Sequence, residues 1–478
     1  MFTRIIKIEW RNLLAEKSFF ILAVVFAVLL GYGIYNGGNW IKQREAQSRT
    51  LIETQDKELG EKREKVAQGF KGSTEPGNFQ PNPADPYSIG MGLQYAVLPF
   101  ASTAVFSIGQ ADVLPIDAGV TISTLQRTIA EKDGFENPLS FLAGRFDLSF
   151  VVVYLLPLFV LAMSFNLLSA ERENGTLQLL LANPLKLKNL LTAKFTAQFA
   201  IIFGIVSIVS LSGVLLTSDI AAEGFWARVL LWLLLVAVYA AFWFSLAVFI
   251  NSFGFSSATN AVISSATWLI LVLVLPSLLN VAISAIYPVP PRSEIISAER
   301  AVNLDMRKEG NKLLAEHYQD HPELMPKGDK PDLNDFGLAF VYIQQRKKEK
   351  VQEVESRFNE QLGKQQNLVR NLRFLSPSII TQEALNDIAG TGLERYTHFR
   401  RQVKEFDKNW TNYFTPKIYR LEKLSVADFE QIPRFQFQEE SFANLIDRVI
   451  YGVLFLLIAS TVLMYLGFGK LQNYSLDE

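Results

Sequence analysis

Six apolar stretches, each long enough to cross a bilayer as a helix, constrain this chain more than any other feature. They cover residues 18–37, 148–168, 195–217, 227–250, 260–286 and 447–468. Crossing the hydrocarbon core takes about 20 helical residues. In lipid the backbone must satisfy its own polar groups, which leaves helix as the conformation for isolated apolar runs of this length. No Lys, Arg, Asp or Glu lies well inside any stretch; Arg228 and the Asp447-Arg448 pair sit at ends, within reach of the interface. The expected fold class is an all-α integral membrane protein: six transmembrane helices with a large, mainly helical exterior domain built from two insertions.

Charge is segregated accordingly. Charged residues make up 19% of the chain, and most fall in two long polar segments, 38–147 and 287–446. A net charge of −1 gives no bulk attraction to nucleic acid, which is not expected as a partner. The chain has no cysteine, which excludes disulfides, thiolate metal sites and cysteine catalysis. Ion-coupled carriers place ionisable groups at membrane depth, so the bare stretches argue against that class.

Basic residues set the orientation. Arg4, Lys7, Arg11 and Lys17 precede the first stretch; Arg172, Lys186, Lys188 and Lys194 follow the second; Lys470 lies in the tail. The positive-inside rule puts both termini, the 169–194 loop and the 469–478 tail in the cytoplasm, and the two long insertions outside. Residues 1–17 pattern as an amphipathic helix on the inner leaflet, with Phe2, Ile5, Ile6, Trp10, Leu13 and Leu14 on one face and membrane lipid as its partner. The first stretch lacks an A-x-A cleavage pattern and reads as an uncleaved anchor. The apolar run 95–109 contains Pro99, is short, and would turn the basic 171–194 loop outward if it spanned. It is assigned to the exterior domain. Pro157 and Pro276 are expected to kink the second and fifth helices, and Ser164, Asn166, Gln198, Asn260 and Asn280 to face the bundle interior.

In the insertions, 41–68 reads as a solvated helix, 69–90 as loop, 292–319 as helix and 322–335 as a break. A polar helix over 336–373 carries a narrow seam of Val351, Val354, Phe358, Leu362 and Val369. Neither insertion has an apolar face wide enough to stand alone, so the two should fold together.

Between the second and third stretches lies ERENGTLQLLLANP (171–184). Gly175 permits a left-handed reversal, Thr176 suits an N-cap, Leu177, Leu180 and Leu181 share a helical face, and Asn183-Pro184 ends the turn. The segment resembles the coupling-helix motif of the ABC type-2 transporter permeases, E-x-E-x-G-T-L-x-x-L-L-x-x-P, in residue type, spacing and position between spans. GQADVLP (109–115), ENPLSFLAGRFDLSF (136–150) and LSPSIITQEALNDIAGTG (375–392) look like patterns of a branch of that family with a large exterior domain of unassigned role. The resemblance implies a non-catalytic permease subunit in a bacterial inner membrane, paired with a second permease chain as homodimer or with a related paralogue. A separate ABC ATPase subunit would dock on Glu171, Arg172, Glu173, Gly175, Thr176, Leu177, Leu180, Leu181 and Pro184. The other class to weigh is a membrane-anchored scaffold or sensor that an ATPase drives mechanically.

Residues for independent chemistry are sparse. No Walker A pattern G-x-x-x-x-G-K-S/T occurs, and GFGKL (467–471) lacks its spacing and hydroxyl. ATP is therefore expected on the partner, with no cofactor here. No Ser-His-Asp or H-E-x-x-H arrangement is visible. His317 and His321 stand four apart but have no third ligand nearby in sequence, and Glu439-Glu440 reads as solvated or interface charge; no metal or catalytic site is expected. The topology yields a direct test, clean because the chain has no native thiol. A cysteine at Asp85 or Gln345 should react with a membrane-impermeant thiol reagent on intact spheroplasts, and one at Asn189 should not. Labelling at Asn189 from outside would reverse the orientation.

Overall fold

The computed structural model describes residues 2–75, 78–122, 145–177, 187–288, 297, 300–301 and 336–471. Helix α1 (Phe2–Ala15) leads into α2 (Lys17–Ala67). The first insertion continues with an antiparallel pair, β1 (Ser73–Glu75) and β2 (Asn78–Gln80), then α3 (Pro86–Gly90) and a second pair, β3 (Gln94–Val97) and β4 (Asp117–Val120). Four long helices follow: α4 (Leu148–Glu173), α5 (Leu187–Thr217), α6 (Phe225–Asn251) and α7 (Ser257–Ile286). The second insertion supplies α8 (Phe336–Leu372), α9 (Pro377–Ala389) and α10 (Leu393–Tyr419), and α11 (Phe442–Leu471) closes the described chain.

Six of these, α2, α4 to α7 and α11, are long and apolar enough to cross a membrane. This is an all-α membrane protein whose strands, among the described residues, are confined to two short pairs. The helices overrun the apolar stretches. The first stretch and the polar helix expected at 41–68 form one rod, α2; α4 continues through Glu173, and α5 starts at Leu187. Apolarity ends where the lipid does, but a helix continues until its backbone is broken or capped. In α2 the glycines do not break it. At Gly33 a Cβ would lie 2.8 Å from the Asp147 carbonyl, so the missing side chain lets the start of α4 cross against α2.

Residues 95–109 do not span. They form β3 and a 3-10 turn, Ala104–Phe106, that dips into the end of the bundle, where Phe106 stacks on Trp232 with centroids 4.4 Å apart. The two insertions share one apolar core: Leu59, Ile89, Ala96 and Val120 from the first pack with Phe399, Trp410, Phe414 and Ile418 from the second. The Trp410 indole also donates to the Gly90 carbonyl at 3.0 Å. The α8 seam is shallow, with Phe358, Leu362 and Val369 half-buried.

Each of the two prolines expected to kink its helix follows a π-helical turn: Val151–Leu155 before Pro157, and Leu269–Val274 before Pro276. Proline has no N–H, so the ladder is incomplete at these points. Leu271 stands five residues before Pro276, so in the wider π register no amide remains for its carbonyl. Other elements supply the donors. Ser376 Oγ and Ser378 Oγ, at the start of α9, reach the Leu271 carbonyl at 2.9 and 3.3 Å. In α4, Tyr239 Oη donates to the Val153 carbonyl at 2.9 Å and Trp268 Nε1 to that of Tyr154 at 3.2 Å. Tyr239 is fully buried. Tyr239→Phe should therefore lower stability by roughly 1–3 kcal/mol, the usual range for stranding a buried polar group. Thermal unfolding in detergent measures it; an unchanged midpoint would mean the Val153 carbonyl needs no outside donor.

Candidate coupling site

The end of α4 is built by its own sequence. Past Ser169 the apolar run gives way to Ala-Glu-Arg-Glu, and Asn174-Gly175 stops the helix. Gly175 has φ +69°, with open space around the position of a Cβ. That is the left-handed reversal its sequence implied. The Thr176 hydroxyl turns back onto α4, donating to the Glu171 carbonyl at 3.1 Å and to the Glu171 carboxylate.

Three consecutive charged side chains tie this turn to the neighbouring helices. Glu171 accepts from Lys194 Nζ of α5 at 2.8 Å. Arg172 Nη1 donates to the Gly254 carbonyl, in the loop between α6 and α7, at 2.5 Å. Glu173 accepts from the Ser257 backbone N–H at 2.6 Å and from its hydroxyl at 2.8 Å, which places a carboxylate on the positive N-terminal end of α7.

A buried polar knot supports the turn. Asn251 Nδ2 donates to the Ser164 and Ala247 carbonyls, each at 2.9 Å, while its Oδ1 accepts from Asn260 Nδ2 at 3.3 Å. Ser169 Oγ lies 2.8 Å from Ser257 Oγ. Gln198 Nε2 donates to the Met163 carbonyl at 2.8 Å, tying α5 to α4. On α1, Glu9 lies close to this cluster. Burial raises its carboxyl above the ordinary range, with Lys194 pulling it down and Glu171 pushing it up.

The sequence-derived site divides in the structure. Glu173, Asn174, Gly175 and Thr176 are exposed at the tip, while Glu171 and Arg172 are half-buried. Glu171 and Glu173, expected to meet basic groups of a partner, already have partners within the chain. Leu177 is 1% exposed and packs with Leu167, Leu168, Leu191, Val248 and Leu471, so it anchors the turn to the bundle instead of facing outward. Leu180, Leu181 and Pro184 lie outside the described residues, as do His317 and His321. Of the polar residues expected inside, Ser164, Gln198 and Asn260 are buried, Asn166 is half-buried and Asn280 is exposed on α7. Asn251 and Ser257 went unrecognised, although Asn-Ser-Phe-Gly-Phe-Ser-Ser (251–257), a polar run closing an apolar stretch, was a visible signal. The same loop exposes Phe253 and Phe255, stacked with centroids 5.7 Å apart.

A second junction forms at the opposite end of the bundle, where 107–112, the start of α4 and α9 converge. Asp147 is buried and accepts from the Ile108 and Phe150 N–H groups at 2.7 Å each and from Ser149 Oγ at 2.8 Å. Burial pushes its carboxyl up, against the pull of those donors. Ser107 Oγ donates to Asn386 Oδ1 at 2.7 Å, and Gln382 Nε2 reaches the same oxygen at 2.8 Å. Asp112 pairs with Arg145, and a Cβ at Gly109 would lie 2.8 Å from Asn386, so the described parts of the three patterns at 109–115, 136–150 and 375–392 meet in space. No cluster of metal-ligating side chains occurs among the described residues.

Residues 292–438 match a family described as a domain of unknown function (DUF3526). The match falls within the second insertion and takes in α8, α9 and most of the chain up to α11. No curated protein matches the chain.

The placement of Leu177 makes a prediction opposite to that for a partner-facing leucine. Leu177→Ala should cost about 2–5 kcal/mol of the chain's own stability, as for other buried leucines. Gly175→Val should strain only the local backbone, since nothing crowds that position. Thermal unfolding of the isolated protein should show a clearly lower midpoint for Leu177→Ala than for Gly175→Val.

Proposed function

We propose that this chain is the membrane-spanning permease subunit of an ATP-driven ABC transporter, moving substrate across a bacterial inner membrane with ATP hydrolysed by a separate ATPase subunit. The observation that carries this reading is the 169–177 turn: an exposed tip whose side chains hold α4, α5 and α7 together. A subunit pressing on that tip would move three helices as a unit, which is how a docked motor drives a two-state bundle by rigid-body motion. The likeness of 171–184 to the coupling-helix motif supplies the identity of the motor. A second permease chain would complete the path. The apolar side chains that α7 leaves exposed, Val262, Leu278 and Val281 among them, would face that chain or lipid.

Co-purification with an ABC ATPase subunit from the same genome tests the proposal. Leu180 and Leu181 would meet the ATPase, and losing a buried leucine contact costs about 1–3 kcal/mol. Leu180→Ala with Leu181→Ala should leave the permease folded yet weaken ATPase association by roughly tenfold or more. Asn189→Ala, on the exposed start of α5, should leave association unchanged. Wild-type association and coupled turnover in the double variant would reduce 171–184 to a connector.

A membrane-anchored scaffold or sensor is the second reading, favoured by the packing of α9 across the end of the bundle opposite the turn. Transport into vesicles by the purified assembly would decide for the permease.

A further inference from the structure

Helix α9 lies across the bundle end remote from the 169–177 turn, held at both of its own ends. Ile380, Leu385, Ile388 and Ala389 are buried in the same core as the spanning helices. Its first turn is pinned by the Ser376 and Ser378 bonds to α7. At its last turn the Ile388 carbonyl accepts from Thr103 Oγ1 at 2.9 Å and from Arg228 Nη1 of α6 at 3.1 Å. Beside that carbonyl sits Asp387, with 13% of its side chain exposed and Arg448 Nε of α11 at 3.5 Å.

The arginine is shared. Its two Nη atoms bind Glu440, which leaves Asp387 a partial countercharge and an Nε contact too long for a hydrogen bond. After Arg448, the ionisable groups that act most strongly on Asp387 are acidic: Glu383 on α9 itself, Glu394 on α10 and Glu440 ahead of α11. Two further cations on the same turn are engaged by backbone carbonyls, Arg228 by that of Ile388 and Arg395 Nη1 by that of Gly390. A largely buried carboxylate that only shares a guanidinium is better accommodated there as the neutral acid, and hydration favours the anion.

We propose that Asp387 is a proton-binding site that latches α9 across the bundle: protonated, it keeps the last turn of α9 seated against α11; ionised, it lets that turn lift into solvent. The inference stands whether or not an ATPase is the partner.

The direction follows from linkage. Burial, the leading cause, pushes the seated Asp387 carboxyl up to about 7 from an ordinary 3.8; Arg448 opposes the rise, while Glu383, Glu394 and Glu440 add to it. A lifted, hydrated Asp387 returns to the ordinary value. The seated form therefore binds the proton more tightly. It is most favoured below pH 3.8, loses ground as pH rises, and levels off above about 7. The approach to neutral pH loosens the latch.

Thiol reactivity in the purified full-length protein, in detergent or nanodiscs, reads the lifting directly. Ala389 is buried, and Ala389→Cys would be the sole thiol of the chain. Its modification rate by a soluble maleimide is normalised at each pH to that of an exposed reference, Gln431→Cys, which removes the titration of the thiol itself. The normalised rate should rise roughly tenfold or more between pH 5.5 and 7.5 and then level off. In an Asp387→Asn background it should stay low and flat, because the neutral amide mimics the protonated acid. A flat profile with Asp387 intact overturns the proposal, whether or not the Asn variant folds. So does an undiminished rise with Asp387→Asn, or a rise abolished by Glu383→Gln with Asp387 intact.

Discussion

Two prolines in the middle of membrane-crossing helices set the problem that much of this fold answers. Pro157 and Pro276 each withdraw an amide where water is not at hand, and each is preceded by a π turn that leaves carbonyls looking for donors. The donors come from elsewhere: Tyr239 of α6 and Trp268 of α7 serve α4, and the serines opening α9 serve α7. What begins as a local defect becomes a set of directional bonds among α4, α6, α7 and the second insertion. Apolar packing alone would let such helices slide; these bonds fix their register.

The two ends of the bundle use different physics. At the 169–177 turn, charged side chains meet backbone groups and one lysine at a surface, and the buried part of the knot is made of neutral amides and hydroxyls. The opposite end buries carboxylates. Asp147 is held by three donors, whereas Asp387 has one shared arginine. The buried part of the first arrangement contains no group that titrates. The second holds one satisfied acid and one poorly satisfied acid within a few turns of each other, which places stiffness and susceptibility side by side.

Much of the fold was legible because membrane crossing depends on local apolar length, which a sequence displays directly. The disturbed helical ladders at Pro157 and Pro276 and the left-handed Gly175 were legible because each depends on one residue's covalent chemistry. The partners of Glu171, Arg172 and Glu173 were not, since they come from residues 194, 254 and 257 on other elements. Leu177 shows the limit most clearly. Helical spacing puts it on one face with Leu180 and Leu181, but periodicity does not say whether a face turns toward its own bundle or toward a partner, and Leu177 turns inward. Asp147 gave no sign of burial either, because its shielding is assembled from the first insertion and α9 together.

The continuity of α2 has a mechanical consequence. At about 1.5 Å per residue, its 51 residues form a rod of roughly 76 Å, of which a bilayer core of about 30 Å covers less than half. The remainder is bound into the second insertion through Arg63 with Glu430 and Asp56 with Arg434. Such a rod works as a lever with its fulcrum in the membrane. A tilt of only about 5° would carry its far end sideways by roughly 5 Å, a displacement on the scale of a whole helical turn. Small rotations within the lipid would thus be delivered to the second insertion as large translations.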